Sequence, residues 1–159
     1  METGVKLTDL VEKMNLKNLT PGVDLTDHAV YVPDVNRPAL QLTGFFDHFD
    51  SERVQIIGNV EYAYIQTLSE ERKSEIYEKL LKNQIPCIIF SKNLLPEEIL
   101  LQKAEEKQIP IFATDKPTSS FMAELIRWMN VKLAPCISIH GVLVDVYGVG
   151  DRKSTRLNS

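Results

Sequence analysis

The chain has 159 residues, of which 43% are hydrophobic and 25% charged, with a formal net charge of −4. These values describe an ordinary globular chain holding one domain, or one domain and a piece of another. No apolar run approaches the roughly 20 residues that span a bilayer. The first residues lack the apolar stretch of a signal peptide. An acidic balance disfavours nucleic acid, which asks for a basic face.

Near the start, Leu7, Leu10, Val11 and Met14 stand at helical spacing, which predicts a helix within 6–19 that Thr20, Pro21 and Gly22 stop. Val30, Tyr31 and Val32 predict a strand within 28–32, closed by Pro33 and Asp34. Residues 34–38 read as a polar turn, and 39–49 as a helix or part of one. A strand is expected at 53–57, ended by Gly58 and Asn59.

The middle of the chain is more legible. Ser69 is placed to cap a helix whose first turn holds Glu70 and Glu71, acids suited to the positive helix end. Ile76 with Leu80, and Tyr77 with Leu81, are i, i+4 pairs on it, and Asn83 and Gln84 end it. The short apolar run 85–90 suits a strand buried on both faces. Pro96, followed by Glu97 and Glu98, opens the next helix, with Ile99, Leu100, Leu101 and Ala104 as its apolar side. Residues 110–113 form another short strand, and 119–133 a helix carrying Met122, Leu125, Ile126, Met129 and Leu133. Strand and helix therefore alternate from 53 to 133, which predicts an α/β fold with a parallel-type sheet flanked by helices. Pro135 breaks the alternation and marks the boundary of an N-terminal domain, 1–134. The run 136–149 reads as a strand or hairpin turning at His140 and Gly141.

The last nine residues, Asp-Arg-Lys-Ser-Thr-Arg-Leu-Asn-Ser, do not belong to this organisation. They read as one frame of a common sequencing adapter, a non-native tail at 151–159. The tail carries Arg152, Lys153 and Arg156 against Asp151, a net of +2, which leaves −6 on residues 1–150. The two cysteines, Cys87 and Cys136, are expected to be buried and reduced. No Cys-x-x-Cys or His-x-x-x-His spacing suggests a metal site.

Two segments stand out. One is Asp34-Val35-Asn36-Arg37-Pro38-Ala39-Leu40-Gln41-Leu42-Thr43-Gly44. The other is Ser138-Ile139-His140-Gly141-Val142-Leu143-Val144-Asp145-Val146-Tyr147-Gly148-Val149-Gly150. Both resemble stretches of HPr kinase/phosphorylase, and the resemblance covers essentially all of residues 1–150. It implies a bifunctional cytoplasmic enzyme of carbon catabolite control. Such an enzyme uses ATP and Mg2+ to phosphorylate a serine of HPr, the phosphocarrier of the sugar phosphotransferase system, and removes that phosphate by attack of inorganic phosphate. The family assembles as a hexamer. Its N-terminal α/β domain precedes a kinase domain with a phosphate-binding loop, a magnesium site and a catalytic Asp.

On this resemblance 135–150 opens the kinase domain, His140 belongs to its active site, and the phosphate-binding loop would follow Gly150. The chain contains no G-x-x-x-x-G-K-[ST], so on its own it is expected to bind neither ATP nor Mg2+ and to be inactive. Without the resemblance His140 is a turn residue, and Asp145 a residue satisfying backbone donors at a strand end. Gly148-Val149-Gly150 as a dinucleotide fingerprint fails, because its third glycine position is Lys153. Asn36 and Arg37 admit two readings: an anion-binding turn, or a cap with Arg37 in an interdomain or intersubunit ion pair. Two further function classes stay open. One is a non-catalytic regulatory α/β domain sensing a small ligand, and the other an oligomerisation module.

Overall fold

The computed structural model describes residues 4–134. The elements are β1 (Val5–Lys6), α1 (Leu7–Met14), β2 (Lys17–Asn18), β3 (Ala29–Val30), β4 (Val35–Asn36), α2 (Ala39–Leu42), β5 (Val54–Ile57), α3 (Asn59–Gln66), α4 (Glu70–Lys82), β6 (Ile88–Phe90), α5 (Glu98–Glu106), β7 (Ile111–Ala113) and α6 (Thr118–Leu133). The main sheet has the order β2-β7-β6-β5-β4. The four strands β4 to β7 run parallel, and β2 closes the β7 edge antiparallel. A separate antiparallel ribbon joins β1 to β3.

Alternation along the strands sorts the core into two halves. Val54, Ile56, Cys87, Ile89 and Phe112 point to one face, where they meet Leu7, Leu10 and Met14 of α1 and Phe121, Leu125 and Met129 of α6. Ile57, Ile88, Phe90 and Ile111 point to the other, under Ile65, Ile76, Leu80, Leu81, Leu100 and Ala104 of α3, α4 and α5. The result is a three-layer helix–sheet–helix sandwich, the α/β class that the alternation predicts. Both faces being covered, the strands read as continuous apolar runs.

Local signals explain most boundaries. The Ser69 hydroxyl accepts from the Arg72 N–H at 3.1 Å and caps α4, as expected. Gln84, at φ 56°, turns left-handed just past the α4 C-terminus. The expected helix at 39–49 is a single turn. Phe45 N–H donates to Leu40 C=O at 3.1 Å and Gly44 N–H to Gln41 C=O at 2.9 Å, a paired closure that needs the φ of 105° held by Gly44. The expected helix at 6–19 ends at Met14, because Asn15 adopts φ 54° and the chain leaves into β2.

Two elements differ in kind from the sequence reading. The polar turn at 34–38 contains β4, an edge strand whose Asn36 pairs in register with Gln55. The stretch after Gly58, to which the sequence reading assigns no element, forms α3. Thr20 is buried, and its hydroxyl accepts the Ile111 N–H at 3.0 Å, continuing the β2 edge past its last ladder bond. No helix among the described residues is long and apolar enough to cross a membrane.

Candidate functional site

In sheets of this kind ligands seat beyond the carboxyl ends of the parallel strands. At those ends stand Asn36, the last residue of β4, and Arg37 just after it, Gly58 after β5, Ser91 after β6 and Thr114 after β7. The structure brings Asn36 and Arg37 into this row. His140, Asp145, Gly148, Gly150 and Cys136 lie outside the described residues, as do the expected kinase-domain start at 135–150 and the tail at 151–159.

Arg37 is committed to a neighbour. Its Nε donates to Glu61 Oε2 at 3.0 Å and its Nη2 to Glu61 Oε1 at 2.8 Å, the planar two-bond geometry that guanidinium and carboxylate share. Glu61 Oε1 also accepts the Gly58 N–H at 2.8 Å. Gly58 is the N-cap of α3 and Glu61 its third residue, so the carboxylate makes the returning half of a capping box. The other half is missing, because glycine has no side chain to give. The Glu61 side chain is 4% exposed and that of Arg37 34%, so the carboxylate is the buried partner. The ion pair lies within one domain, between residues 24 positions apart.

Gly58 holds the row together by being small. A Cβ there would stand 2.8 Å from Arg37 Nη2 and 2.9 Å from Thr118 Oγ1. Thr118 opens α6, and its hydroxyl lies 2.6 Å from Ser91 Oγ, both buried. Ser91 Oγ also lies 3.3 Å from the Ile57 carbonyl, to which it donates. Two polar links thus meet side by side at Gly58: Glu61 with Arg37 and the Gly58 N–H on α3, and Thr118 of α6 through Ser91 to the Ile57 carbonyl.

Asn36 works sideways. Its amide donates to Gln55 Oε1 at 2.7 Å and to Gln41 Oε1 at 3.4 Å. Gln55 is fully buried and donates to the carbonyls of Asp50 and Arg53 at 3.2 and 2.8 Å. The two amides anchor the 43–53 connection to the β4 edge. The sequence reading passes over Glu61 and Gln55, takes Gly58 only as a strand end, and holds Gln41 only as part of the 34–44 segment. The one available signal was Glu61 three residues after Gly58, a spacing that marks a helix start.

Two other features were missed. Lys73 of α4 is buried in the fold and pairs with Glu97 at 2.7 Å and Glu70 at 3.4 Å, which raises its pKa above the ordinary lysine value. The Tyr77 hydroxyl donates to Glu97 at 3.2 Å, and burial with that carboxylate pushes its pKa up. A cleft of about 380 Å³ opens beyond β7, lined by Asn15, Lys17, Asn93, Leu95 and Thr114 among others. Neither Asn36 nor Arg37 lines it. Another, of about 420 Å³, holds His28, Tyr31 and Lys107 at the amino ends of β6 and β7, away from the row. Cys87 is buried, and burial alone raises its thiol pKa, so it is inert packing. The described residues hold no cluster of metal ligands. What this end of the sheet does chemically is brace its own strands and present the exposed edge of the Arg37 guanidinium.

Fold and site thus define a three-layer α/β domain with a row of braced polar groups at its strand ends. Among solved structures, the CBS and DRTGG domains of the regulatory region of Clostridium perfringens pyrophosphatase, complexed with the activator diadenosine tetraphosphate, match with a TM-score of 0.53. That match has 11% identity and covers 79% of this chain and 47% of the other, so it speaks to the fold alone. The sequence model for the HPr serine kinase N terminus matches residues 5–129. The HPr kinase/phosphorylase of Lachnoclostridium phytofermentans is 58% identical over 146 residues, 92% of this chain and 47% of the relative. That of Alkaliphilus metalliredigens is 38% identical over the same length, with the same coverage. The chain belongs to the HPr serine kinase N-terminal family. It spans about half the length of the curated relatives it matches.

Proposed function

We propose that the chain is the N-terminal, non-catalytic part of an HPr kinase/phosphorylase. The observation that carries this reading is the 58% identity to a relative of that name across 92% of the chain. The whole enzyme would phosphorylate a serine of HPr with ATP and Mg2+ and would transfer that phosphoryl group from the serine to inorganic phosphate, giving pyrophosphate, in the cytoplasm and as a hexamer. His140 would act in that active site, as a hydrogen-bond donor to phosphate when protonated or in proton transfer. The braced row at Arg37 is consistent with a domain that supports rather than reacts, since its charged groups satisfy one another.

The test is a chimaera in which residues 1–150 replace the matching part of the Lachnoclostridium phytofermentans relative. It should phosphorylate HPr with ATP and Mg2+, and reverse the reaction with inorganic phosphate. The 159-residue chain alone should do neither. A folded chimaera without transfer would refute exchangeability, and transfer by the chain alone would refute the non-catalytic assignment.

A second reading is a regulatory domain that senses a small polar ligand. It draws on the cleft holding Lys17, Asn93 and Thr114, which lies where this fold class seats ligands.

A further inference from the structure

The face of α6 turned away from the sheet is not finished by this domain. Trp128 packs partly on the core beneath it, and Val131, one turn on, is 64% exposed. With Lys13 of α1, Glu124 and Arg127 they line a groove of about 270 Å³ between α1 and α6. Lys132 sits over the Trp128 ring, 5.8 Å from its centroid.

The groove is a basic spot on an acidic chain. Glu124 is its one carboxylate, and it is already held by Lys116 Nζ at 2.9 Å. Lys116, then Lys13 and Arg127, keep the Glu124 pKa below the ordinary glutamate value. Among the described residues neither Lys13 nor Arg127 has a carboxylate within ion-pair distance. The whole chain carries −4. An apolar centre with a tryptophan and an arginine, ringed by cations, is the composition of interface centres.

The position of the groove identifies its occupant. The described chain ends at Ala134, three residues past Val131 and six past Trp128, about 5 and 9 Å along a helix axis. The relatives are about twice as long as this chain's matched part. We infer that this groove seats the remaining half of the longer protein, with an apolar side chain against Trp128 and Val131 and carboxylates facing Lys13 and Arg127. The inference rests on the reading that the chain is one part of an HPr kinase/phosphorylase.

Hydroxyl-radical footprinting tests it, because Trp128 is the chain's sole tryptophan. Modification of Trp128 and Val131 should fall several-fold in the chimaera relative to the 159-residue chain. Phe45, 48% exposed beyond α2 on the other side of the sheet, should not change. In the chimaera Val131→Glu should restore Trp128 modification, while leaving the melting of the 159-residue chain unaltered. Equal Trp128 modification in both proteins overturns the inference, and so does protection in the 159-residue chain that grows with its concentration, which assigns the groove to a second copy. Should the chimaera not fold, the same footprint on the full-length Lachnoclostridium phytofermentans relative decides, since exposure of its matching helix overturns the inference and protection supports it. Phosphate transfer is read separately, so an active chimaera with an exposed Trp128 removes the docking site and leaves the family function standing.

Discussion

Arg37 and Glu61 offer a quantitative check on the strand-end brace. Arg37→Ala removes two of the three donors that reach a carboxylate only 4% exposed. Removing one partner of a buried pair costs about 3–5 kcal/mol, and the one-third exposure of Arg37 favours the lower end, about 3 kcal/mol. Glu61→Ala leaves an arginine that water reaches, and it strips the Gly58 N–H of its acceptor. The sum is smaller, about 2 kcal/mol. Once the carboxylate is gone Arg37 has little left to hold, so the double variant should lose about 2–3 kcal/mol rather than about 5. Arg37→Lys keeps the charge without the two-pronged geometry and should fall between wild type and Arg37→Ala. Urea melts followed by Trp128 fluorescence read all four, and Arg37→Ala should lower Tm by roughly 10 °C. Additive single effects, or a loss below about 1 kcal/mol for Arg37→Ala, would refute the brace.

The same geometry sets three further outcomes. Gly58→Ala has a permissive φ of −110° but sets a Cβ against Arg37 Nη2 and Thr118 Oγ1, so it should cost about 1–3 kcal/mol, and less in an Arg37→Ala background. The folded pKa values of Lys73 and Tyr77 are raised above 10.5 and 10.0, so their contribution is complete below about pH 10 and fades as pH rises through the folded values. Lys73→Met combined with Tyr77→Phe should therefore flatten the loss of Tm above pH 10, and an unchanged alkaline slope would count against the network. In the chimaera His140→Ala should lower kcat/KM for HPr phosphorylation by about 10²–10⁴-fold with little change in Tm. An unaltered rate would remove His140 from the active site.

The layers were legible where burial on both faces leaves continuous apolar runs, as at Ile88–Phe90 and Ile111–Ala113, and where helix starts carry a cap, as at Ser69. The edges were not. β2 and β4 are two residues long, and both β2 residues are exposed, so neither strand prints a period on the sequence. α3 was hidden because its pattern is inverted, with Val60 exposed and Glu61 buried. Arg37 announced a polar role, but its partner lies 24 residues on, in that hidden helix. An ion pair formed by two crossovers of the sheet leaves no local spacing to read. Asn36 presents the same difficulty, since its partner Gln55 is a buried amide inside an otherwise apolar strand.

If residues 1–150 are the front half of a kinase, the natural gene must run on beyond Gly150. Sequencing the source DNA past that codon is the most direct test. The frame should continue through a strand into G-x-x-x-x-G-K-[ST], with Asp151 to Ser159 absent from the natural protein. A genomic frame that encodes Asp151 to Ser159 and then stops would contradict the kinase reading and leave a regulatory domain without a kinase.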